Sequence, residues 1–242
     1  MNYKSVSVAM AAYNGEQYIG NQIDSILYQL KRDDELVISL DPSLDCTDQI
    51  VREKCKKDKR IILIDGPNQG AISNFENAIN IANKEIIFLA DQDDYWLPGK
   101  VENVLKEFDD PDVKVVLHDA SIVDKNLNVI IPSYFQHRKV KKGIKENILK
   151  NSYMGCCMAF RQDLKDLILP FPKDIPMHDQ WIGLVGELTG KTIFLPQQYL
   201  LYRRHEANET NLTHSNILQM IKWRKNIYFE IERIKKNIRQ DL

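Results

Sequence analysis

The stretch EIIFLADQDD, residues 85–94, joins a run of five apolar residues to three carboxylates. The apolar run shows no alternation with polar residues, which is typical of a strand buried on both faces of a parallel sheet. The carboxylates follow it directly, and burying so much like charge is costly unless something neutralises it. Mg²⁺ or Mn²⁺ would do so, because both prefer oxygen ligands. The stretch therefore predicts a cation site at the end of a buried strand, with solvated loop charges as the alternative.

Three similar units precede this stretch. Strand-like runs at residues 5–11, 35–40 and 61–64 are each followed by a polar loop and by apolar residues at helical spacing. This alternation predicts an α/β fold with a mostly parallel sheet flanked by helices. Ligands of such sheets bind beyond the carboxyl ends of the strands, so Tyr13, Asn14, Asp41 and the acidic run are expected at one edge.

The second half of the chain is less regular. No linker rich in Gly, Ser or Pro separates it from the first half, which favours one continuous domain over residues 1–214 whose second part caps the ligand-binding edge. The patterns predict the following elements: strands at 113–118 and 156–160, a hairpin within 119–142, a helix at 179–188, and two short strands at 192–195 and 199–202.

The C-terminal segment, residues 215–242, has its own pattern. Isoleucines recur at roughly helical intervals from residue 217 to residue 238, with lysines and arginines between them. This predicts an amphipathic, basic helix. Three interpretations stay open: a helix docked on its own domain, a homodimer contact, or a peripheral contact with an anionic membrane surface.

The composition excludes several classes of protein. The chain has 242 residues, with 33 basic and 34 acidic side chains, so it lacks the strong positive charge of a general nucleic-acid-binding domain. No window approaches the roughly 20 apolar residues of a membrane-spanning helix, and we expect a cytoplasmic protein. The four cysteines lack zinc-ligand spacing, which favours free thiols.

Further motifs follow one another in a particular order: AYNGE at 12–16, DPSLDCT at 41–47, NQG at 68–70, DQD at 91–93, GCCMAFR at 155–161, HDQW at 178–181 and YRRH at 202–205. The ordered set resembles the inverting nucleotide-sugar glycosyltransferases of the GT-A type in family 2, over about residues 5–206. Asn74-Phe75 and the form DQDDYW look most like bacterial rhamnosyltransferase-type enzymes of surface-polysaccharide synthesis.

The resemblance implies a Rossmann-like GT-A fold, with a nucleotide-binding part at about residues 1–118 and an acceptor-side part at about 119–214. It implies transfer of a sugar from a UDP- or dTDP-sugar, with dTDP-rhamnose for the narrower likeness, to a hydroxyl of a saccharide or lipid-linked saccharide. The residues it assigns are Ala12, Tyr13, Asn14, Glu16, Asp41, Asn68, Gly70, Asn74, Asp91 and Gln92 for the nucleotide, Asp93 and His205 for the divalent cation (Mn²⁺ or Mg²⁺), Arg203 and Arg204 for the diphosphate, and Gly155, Cys156 and Trp181 for the acceptor side.

Asp179 is the candidate general base. Inversion needs one carboxylate on the acceptor side to take the hydroxyl proton, and HDQW resembles the acidic motif of the family at that place. The alternative is an ordinary helix N-cap. For His205 the alternative is a surface histidine. Trp96 is a further candidate for stacking on a sugar ring. Where the family often has Ala-Arg-Asn, this chain has Ser73-Asn74-Phe75, so the contacts to the donor sugar stay open.

Two other functions compete with sugar transfer. A sugar nucleotidyltransferase would share the α/β sheet and the metal-binding aspartates, but it needs a glycine-rich, basic phosphate loop after the first strand. Residues 11–16, AAYNGE, contain a single glycine and no basic residue. A nucleotide-sugar-binding assembly subunit without turnover is the non-enzyme alternative, and the presence of Asp91, Asp93 and Asp179 argues against it.

Overall fold

The computed structural model describes residues 3–205 and 217–240. The first half forms the predicted β-α units, and each helix has an apolar face that the sheet covers. Its elements are β1 (Val6–Ala12), α1 (Ile19–Leu27), β2 (Glu35–Leu40), α2 (Thr47–Lys57), β3 (Ile61–Asp65), α3 (Ala71–Ile81) and β4 (Ile86–Asp91).

The second half adds shorter elements and one long strand. They are β5 (Tyr95–Trp96), α4 (Lys100–Glu107), β6 (Val113–Val123), β7 (Val129–Ile131), α5 (Tyr134–Arg138), α6 (Ile144–Leu149), β8 (Met158–Arg161), α7 (Lys165–Ile168), α8 (His178–Thr189), β9 (Lys191–Arg203) and α9 (Ile217–Gln240).

All the strands in the described residues belong to one sheet, in the order β3-β2-β1-β4-β8-β6-β9-β5, with β7 paired to β6. Strands β3, β2, β1 and β4 are parallel, and β8 pairs antiparallel with both β4 and β6. The predicted α/β class with a Rossmann-like, mostly parallel sheet is confirmed. The antiparallel strands occur where the sequence pattern loses its regular alternation.

Two hydrophobic layers pack against the sheet. Helices α1, α2 and α4 bury side chains such as Ile23, Val51 and Val104 on one face. Helices α3, α8 and α9 bury side chains such as Phe75 and Trp181 on the other. Because side chains alternate along a strand, β1 contributes to both layers. The carboxyl ends of β1, β2 and β4 stay uncovered between these layers.

Several sequence predictions need correction in the second half. The two short strands predicted at 192–195 and 199–202 are one strand, β9, because its pairing with β6 continues through an irregularity in which His118 pairs with Leu195 and Asp119 with Gln198. The irregularity accommodates Pro196, which has no N–H to donate to a ladder. The strand predicted from residue 156 is preceded by a 3₁₀ turn at Gly155–Cys157. The hairpin predicted within 119–142 is the β6–β7 pair.

The C-terminal helix docks on its own domain. Ile227, Ile231 and Ile234 of α9 are buried in the same core layer as Trp181 of α8. The boundary placed between residues 214 and 215 lies outside the described residues. Within 3–205 and 217–240, no helix has both the length and the apolar character that crossing a bilayer requires. The four cysteines, all in the described part, are free.

Candidate active site

A cleft of about 1310 Å³ lies beyond the carboxyl ends of β1, β2 and β4. It brings together most of the residues that the sequence assigned to a site. These are Ala12, Tyr13, Asn14, Glu16, Asp41, Asn68, Gly70, Asn74, Asp91, Gln92, Asp93, Gly155, Cys156, Asp179, Arg204 and His205. Residues far apart in the chain therefore share one cavity, as parallel β-α units require.

The loop after β1 is held by hydrogen bonds to the residues that follow its two neighbouring strands, β4 and β2. Gln92 bonds the backbone of Tyr13 twice: its amide donates to the carbonyl (2.6 Å) and its oxygen accepts from the N–H (2.9 Å). Asn14, at φ 47°, accepts from the Leu44 N–H at 2.8 Å. A Cβ on Gly15 would lie 2.3 Å from the Gln92 amide oxygen, so any other residue there would displace the Gln92 amide. The amide of Gln92 thus orders this loop.

Asp41 occupies the end of β2 and is 5% exposed. One of its carboxylate oxygens accepts from the backbone N–H of Asn68 at 2.7 Å. This bond ties the end of β2 to the loop after β3. The same oxygen would lie 2.2 Å from a Cβ on Gly66, so the carboxylate packs closely against the loop after β3 while Asp41 also lines the cleft.

The carboxylates of the acidic run after β4 lie in different environments. Burial, the neighbouring Asp93 carboxylate and Asp179 raise the pKa of Asp91 to about 7. Burial and Asp93 also raise the pKa of Asp94, which is fully buried and accepts from the Arg203 N–H at 3.0 Å. The other Asp94 oxygen has no hydrogen-bond partner among the described residues. Like charges are thus crowded at this strand end, contrary to the alternative of solvated loop charges.

The donor atoms at this strand end suit a divalent cation. The imidazole of His205 and the carboxylate of Asp93 meet, with Nε2 and Oδ2 2.8 Å apart, and His205 therefore lies inside the site. Donor atoms of Asp91, Asp94 and Cys156 all lie within 4.8 Å of one another. Carboxylates and imidazole are ligands that Mn²⁺ and Mg²⁺ sites use. A bound cation would also offset the repulsion that raises the pKa of Asp91.

Asp179 also lines the cleft, in the first turn of α8. Its oxygens accept from the Asn151 side chain (3.1 Å), the Gly155 N–H (3.2 Å) and the Gln180 N–H (2.6 Å). Burial raises the pKa of Asp179 to about 6, and these hydrogen bonds partly oppose the rise. The N-cap of α8 is Met177, so Asp179 is not the N-cap itself, although its carboxylate does accept from the first-turn N–H of Gln180 as that alternative expected.

The side chain of His178 was not singled out by the sequence. Its ring stacks on Phe75, with centroids 4.0 Å apart, and it lines the cleft beside Asp179. Burial lowers its pKa to about 3, so the ring is neutral. Neither ring nitrogen has a partner within the described part of the chain. The only signal in the sequence was its place next to Asp179 in HDQW.

Three predicted residues do not reach the cleft. Trp181 is 1% exposed and donates from its indole to the Ile168 carbonyl at 3.0 Å. Trp96 is equally buried, under the Lys100 ammonium. The Arg203 guanidinium donates to the carbonyls of Asp93 (2.7 Å) and Lys125 (2.6 Å). The assignments of Trp181 to the acceptor and of Arg203 to the diphosphate are therefore wrong, because each side chain is committed to the interior.

The second half supplies further lining residues that the sequence analysis missed. They come from the β6–β7 hairpin, from α5 and from the segment before the 3₁₀ turn: Ile122, Ile130, Ile131, Tyr134, His137, Arg138, Asn151, Tyr153 and Met154. This region was assigned as a cap without named residues, because a hairpin and two short helices leave little periodicity to read.

Buried Lys100 was also missed. Its ammonium donates to the Cys156 carbonyl at 2.7 Å, directly behind the acidic run, and burial lowers its pKa to about 8. Its position after Pro98 and Gly99 at the start of a helix resembled that of many exposed lysines. It links α4 to the turn that also positions Gly155.

A Rossmann-like sheet with an acidic run at the end of β4, and with a large cleft lined by that run and by Asp179, is the architecture of a GT-A type glycosyltransferase. Among solved structures, that of TarS from S. aureus in complex with UDP-GlcNAc superposes with a TM-score of 0.75 at 20% identity, covering 93% of this chain and 66% of that one. A mannosyltransferase from Pyrobaculum calidifontis, in complex with GDP-Man and Mn²⁺, has a TM-score of 0.66 at 19% identity, covering 96% of this chain and 65% of the other.

The chain belongs to glycosyl transferase family 2, whose family model matches residues 7–168. An uncharacterised glycosyltransferase of Nostoc is 28% identical over 214 residues, covering 84% of this chain and 66% of the relative. The dTDP-rhamnosyl transferase RfbG of Shigella flexneri is 26% identical over 220 residues, covering 83% of this chain and 73% of RfbG. The match to the Nostoc protein thus spans slightly less than two thirds of that protein.

Proposed function

We propose that this protein is a metal-dependent, inverting glycosyltransferase that acts in cell-surface polysaccharide synthesis. It moves a sugar from a nucleotide-diphosphate sugar to a hydroxyl of a saccharide or lipid-linked saccharide. The observation that carries the proposal is that a buried carboxylate, Asp179, lines the same cleft as the acidic run at the end of β4.

The donor is a UDP- or dTDP-sugar bound over the ends of β1 and β2. The ordered loop around Tyr13 and Asn14 supplies a surface for the nucleoside. The free edge of Asp41 accepts the ring N3–H of a pyrimidine base. Complexes of TarS with UDP-GlcNAc and of the archaeal mannosyltransferase with GDP-Man support a nucleotide-sugar donor. The likeness to RfbG supports dTDP-rhamnose.

Asp93 and His205 hold the divalent cation, and Arg204, at the same end of the cleft, binds the diphosphate. When bound, a cation supplies charge stabilisation to a departing diphosphate. The Mn²⁺ in the mannosyltransferase complex supports this assignment. Asp91 then faces the ribose or the donor sugar from the strand end.

Asp179 acts as the general base on the acceptor side. As the acceptor oxygen bonds to the anomeric carbon, its proton passes to the Asp179 carboxylate, and the bond from that carbon to the diphosphate oxygen breaks. Attack opposite the leaving group inverts the anomeric centre. A base with a pKa of about 6 is largely ionised at neutral pH and still takes up a proton readily.

A two-stage experiment tests the proposal. Thermal unfolding is first measured with a panel of UDP-, dTDP- and GDP-sugars, with and without Mn²⁺, because a ligand that binds only the native state raises its stability. The stabilising donor is then incubated with saccharide acceptors, and the anomer of the product is read by NMR. We expect a Mn²⁺-dependent rise in Tm for one pyrimidine donor and an inverted product. A retained anomeric configuration would contradict the role of Asp179.

A further inference from the structure

Helix α9 is apolar on two opposite faces. Its inner face packs into the core through Ile227, Ile231 and Ile234. On the outer face, large apolar side chains stay more than half exposed. These are Leu218 (74%), Ile221 (55%), Tyr228 (52%) and Phe229 (57%). Docking on the domain accounts for the inner face only, so the outer row needs a separate explanation.

Basic side chains surround this outer row. Between residues 218 and 238 there are six basic and two acidic residues. A second basic segment, residues 138–150, contains six basic residues and one acidic residue, although the whole chain has a formal net charge of −1. Each of these two segments therefore carries a local excess of positive charge. The segment 52–60, in and after α2, is similarly basic but lacks the row of exposed apolar side chains that α9 presents.

The two segments form one continuous surface. The Arg224 guanidinium of α9 donates to the Leu149 carbonyl at 2.6 Å, and the Leu149 side chain is 63% exposed. Lys145 and Lys150 are exposed on either side of it. We call the outer face of α9 together with residues 138–150 the basic apolar surface.

This surface borders the cleft on the side of Asp179. Segment 138–150 begins at Arg138, which lines the cleft. On the other flank, Lys222 of α9 pairs with Asp174 at 3.0 Å, three residues before the cleft-lining Met177. An object bound to the basic apolar surface would thus lie next to the acceptor side of the cleft.

We propose that the basic apolar surface docks on an anionic phospholipid bilayer. Exposed aromatic and aliphatic side chains insert at the boundary between headgroups and acyl chains, while the surrounding lysines and arginines meet the lipid phosphates. A second copy of this chain fits less well, because a symmetric contact would bring two strongly basic surfaces together. Docking in this orientation deepens the proposed function, since it presents the cleft to acceptors carried on lipid.

Vesicle binding by the full chain tests the inference. Purified protein is sedimented with vesicles of phosphatidylcholine mixed with phosphatidylglycerol, and with vesicles of phosphatidylcholine alone, at low and high salt. We expect binding to the mixed vesicles, weakened by salt, and little binding to the neutral ones. Replacing two lysines, Lys145→Gln with Lys150→Gln, should weaken binding roughly tenfold or more. Ile221→Ser with Phe229→Ser should weaken it at both salt concentrations.

Matched variants elsewhere serve as controls. Lys56→Gln with Lys57→Gln removes two exposed charges from α2, and Tyr28→Ser removes an aromatic side chain that is 82% exposed. Both should bind vesicles like the wild type. Circular dichroism verifies that each variant is folded. The variant Lys145→Gln with Lys150→Gln changes two exposed side chains and alters no core contact.

Three outcomes would overturn the inference. The first is no binding of the wild type to the mixed vesicles, and the second is an equal loss of binding in the control variants. The third is a concentration-dependent dimer that Ile221→Ser with Phe229→Ser splits without any effect on vesicle binding. Vesicle binding does not require sugar transfer, so its failure would leave the proposed function standing.

Discussion

The backbone N–H of Gly155 donates to a carboxylate oxygen of Asp179 at 3.2 Å. The first residue of the 3₁₀ turn before β8 thereby fixes the side chain of a residue in the first turn of α8. The Asn151 side chain holds the other Asp179 oxygen. The carboxylate is thus oriented by two segments that precede it in the chain by more than twenty residues.

Replacing Asp179 by Asn should abolish transfer without unfolding the protein. The amide keeps the shape of the side chain but cannot take up a proton, so we expect a loss of at least ~10²-fold in kcat. Donor affinity should stay unchanged, and Tm should remain within a few degrees of the wild type. Steady-state kinetics measures kcat, donor titration measures the affinity, and thermal unfolding measures Tm. Near-normal transfer by the folded variant would move the base elsewhere. Asp163 and Asp166 are exposed and do not line the cleft, so Asp91 would be tested next.

The rate of transfer should depend on pH through Asp179. Its pKa is raised to about 6, and a base works only when it is ionised, so kcat should fall about tenfold per unit below that pH and level off above it. The Asn151 side chain lowers this pKa. Asn151→Ala should therefore shift the inflection to higher pH. An inflection that stays in place would mean that another group titrates.

Asp93→Asn should remove the dependence of donor binding on the cation. The variant keeps its fold but loses a charged ligand, so Mn²⁺ should no longer increase the Tm rise caused by the donor, and turnover should drop by ~10²-fold or more. Asp109→Asn is the matched control, since Asp109 is an exposed carboxylate paired with Lys4. Full activity of Asp93→Asn in the presence of EDTA would refute the metal assignment.

Gly155→Ala should impair catalysis by displacing its neighbours. The new Cβ would lie 3.0 Å from His178 Nε2 and 3.6 Å from Asp179 Cβ, and misplacement of a base is costly in rate. We expect kcat to fall roughly tenfold with little change in Tm. Gly20→Ala, in α1, meets only ordinary contacts beginning at 3.6 Å, and should leave kcat unchanged. Equal kcat values for Gly155→Ala and Gly20→Ala would show that catalysis does not depend on the close packing of His178 and Asp179 against Gly155.

The inner face of α9 should contribute to global stability. Ile231 is 3% exposed, and Ile231→Ala should lower the free energy of unfolding by roughly 2–5 kcal/mol because it leaves a cavity. Tyr228→Ala, on the outer face, should change it by less than about 0.5 kcal/mol. Urea denaturation measures both. Indistinguishable midpoints for Ile231→Ala and the wild type would mean that α9 is not part of the cooperative unit.

The sequence alone determined the elements of the first half and the end of the sheet at which the site lies. The apolar run of β4, the β-α repeats before it and the acidic residues that follow each carry a local signal, because hydrophobic period and turn residues reflect short-range physics. The resemblance to family 2 added Asp179 and His205, both of which line the cleft.

Only the tertiary structure decided which side chains of these elements face the cleft. Trp181 follows Asp179 by two residues, about 200° around a helix, so only one of them can face the cleft. Arg203 belongs to β9 and points inward, whereas Arg204 follows the strand and lines the cleft. For α9, docking and lipid contact looked like alternatives in the sequence, yet the fold assigns one face to the core and leaves the other exposed. The reason is that a hydrophobic repeat in the sequence fixes only the spacing of side chains along a helix or strand. Which face of that element turns towards the core is set by packing partners that are distant in the chain.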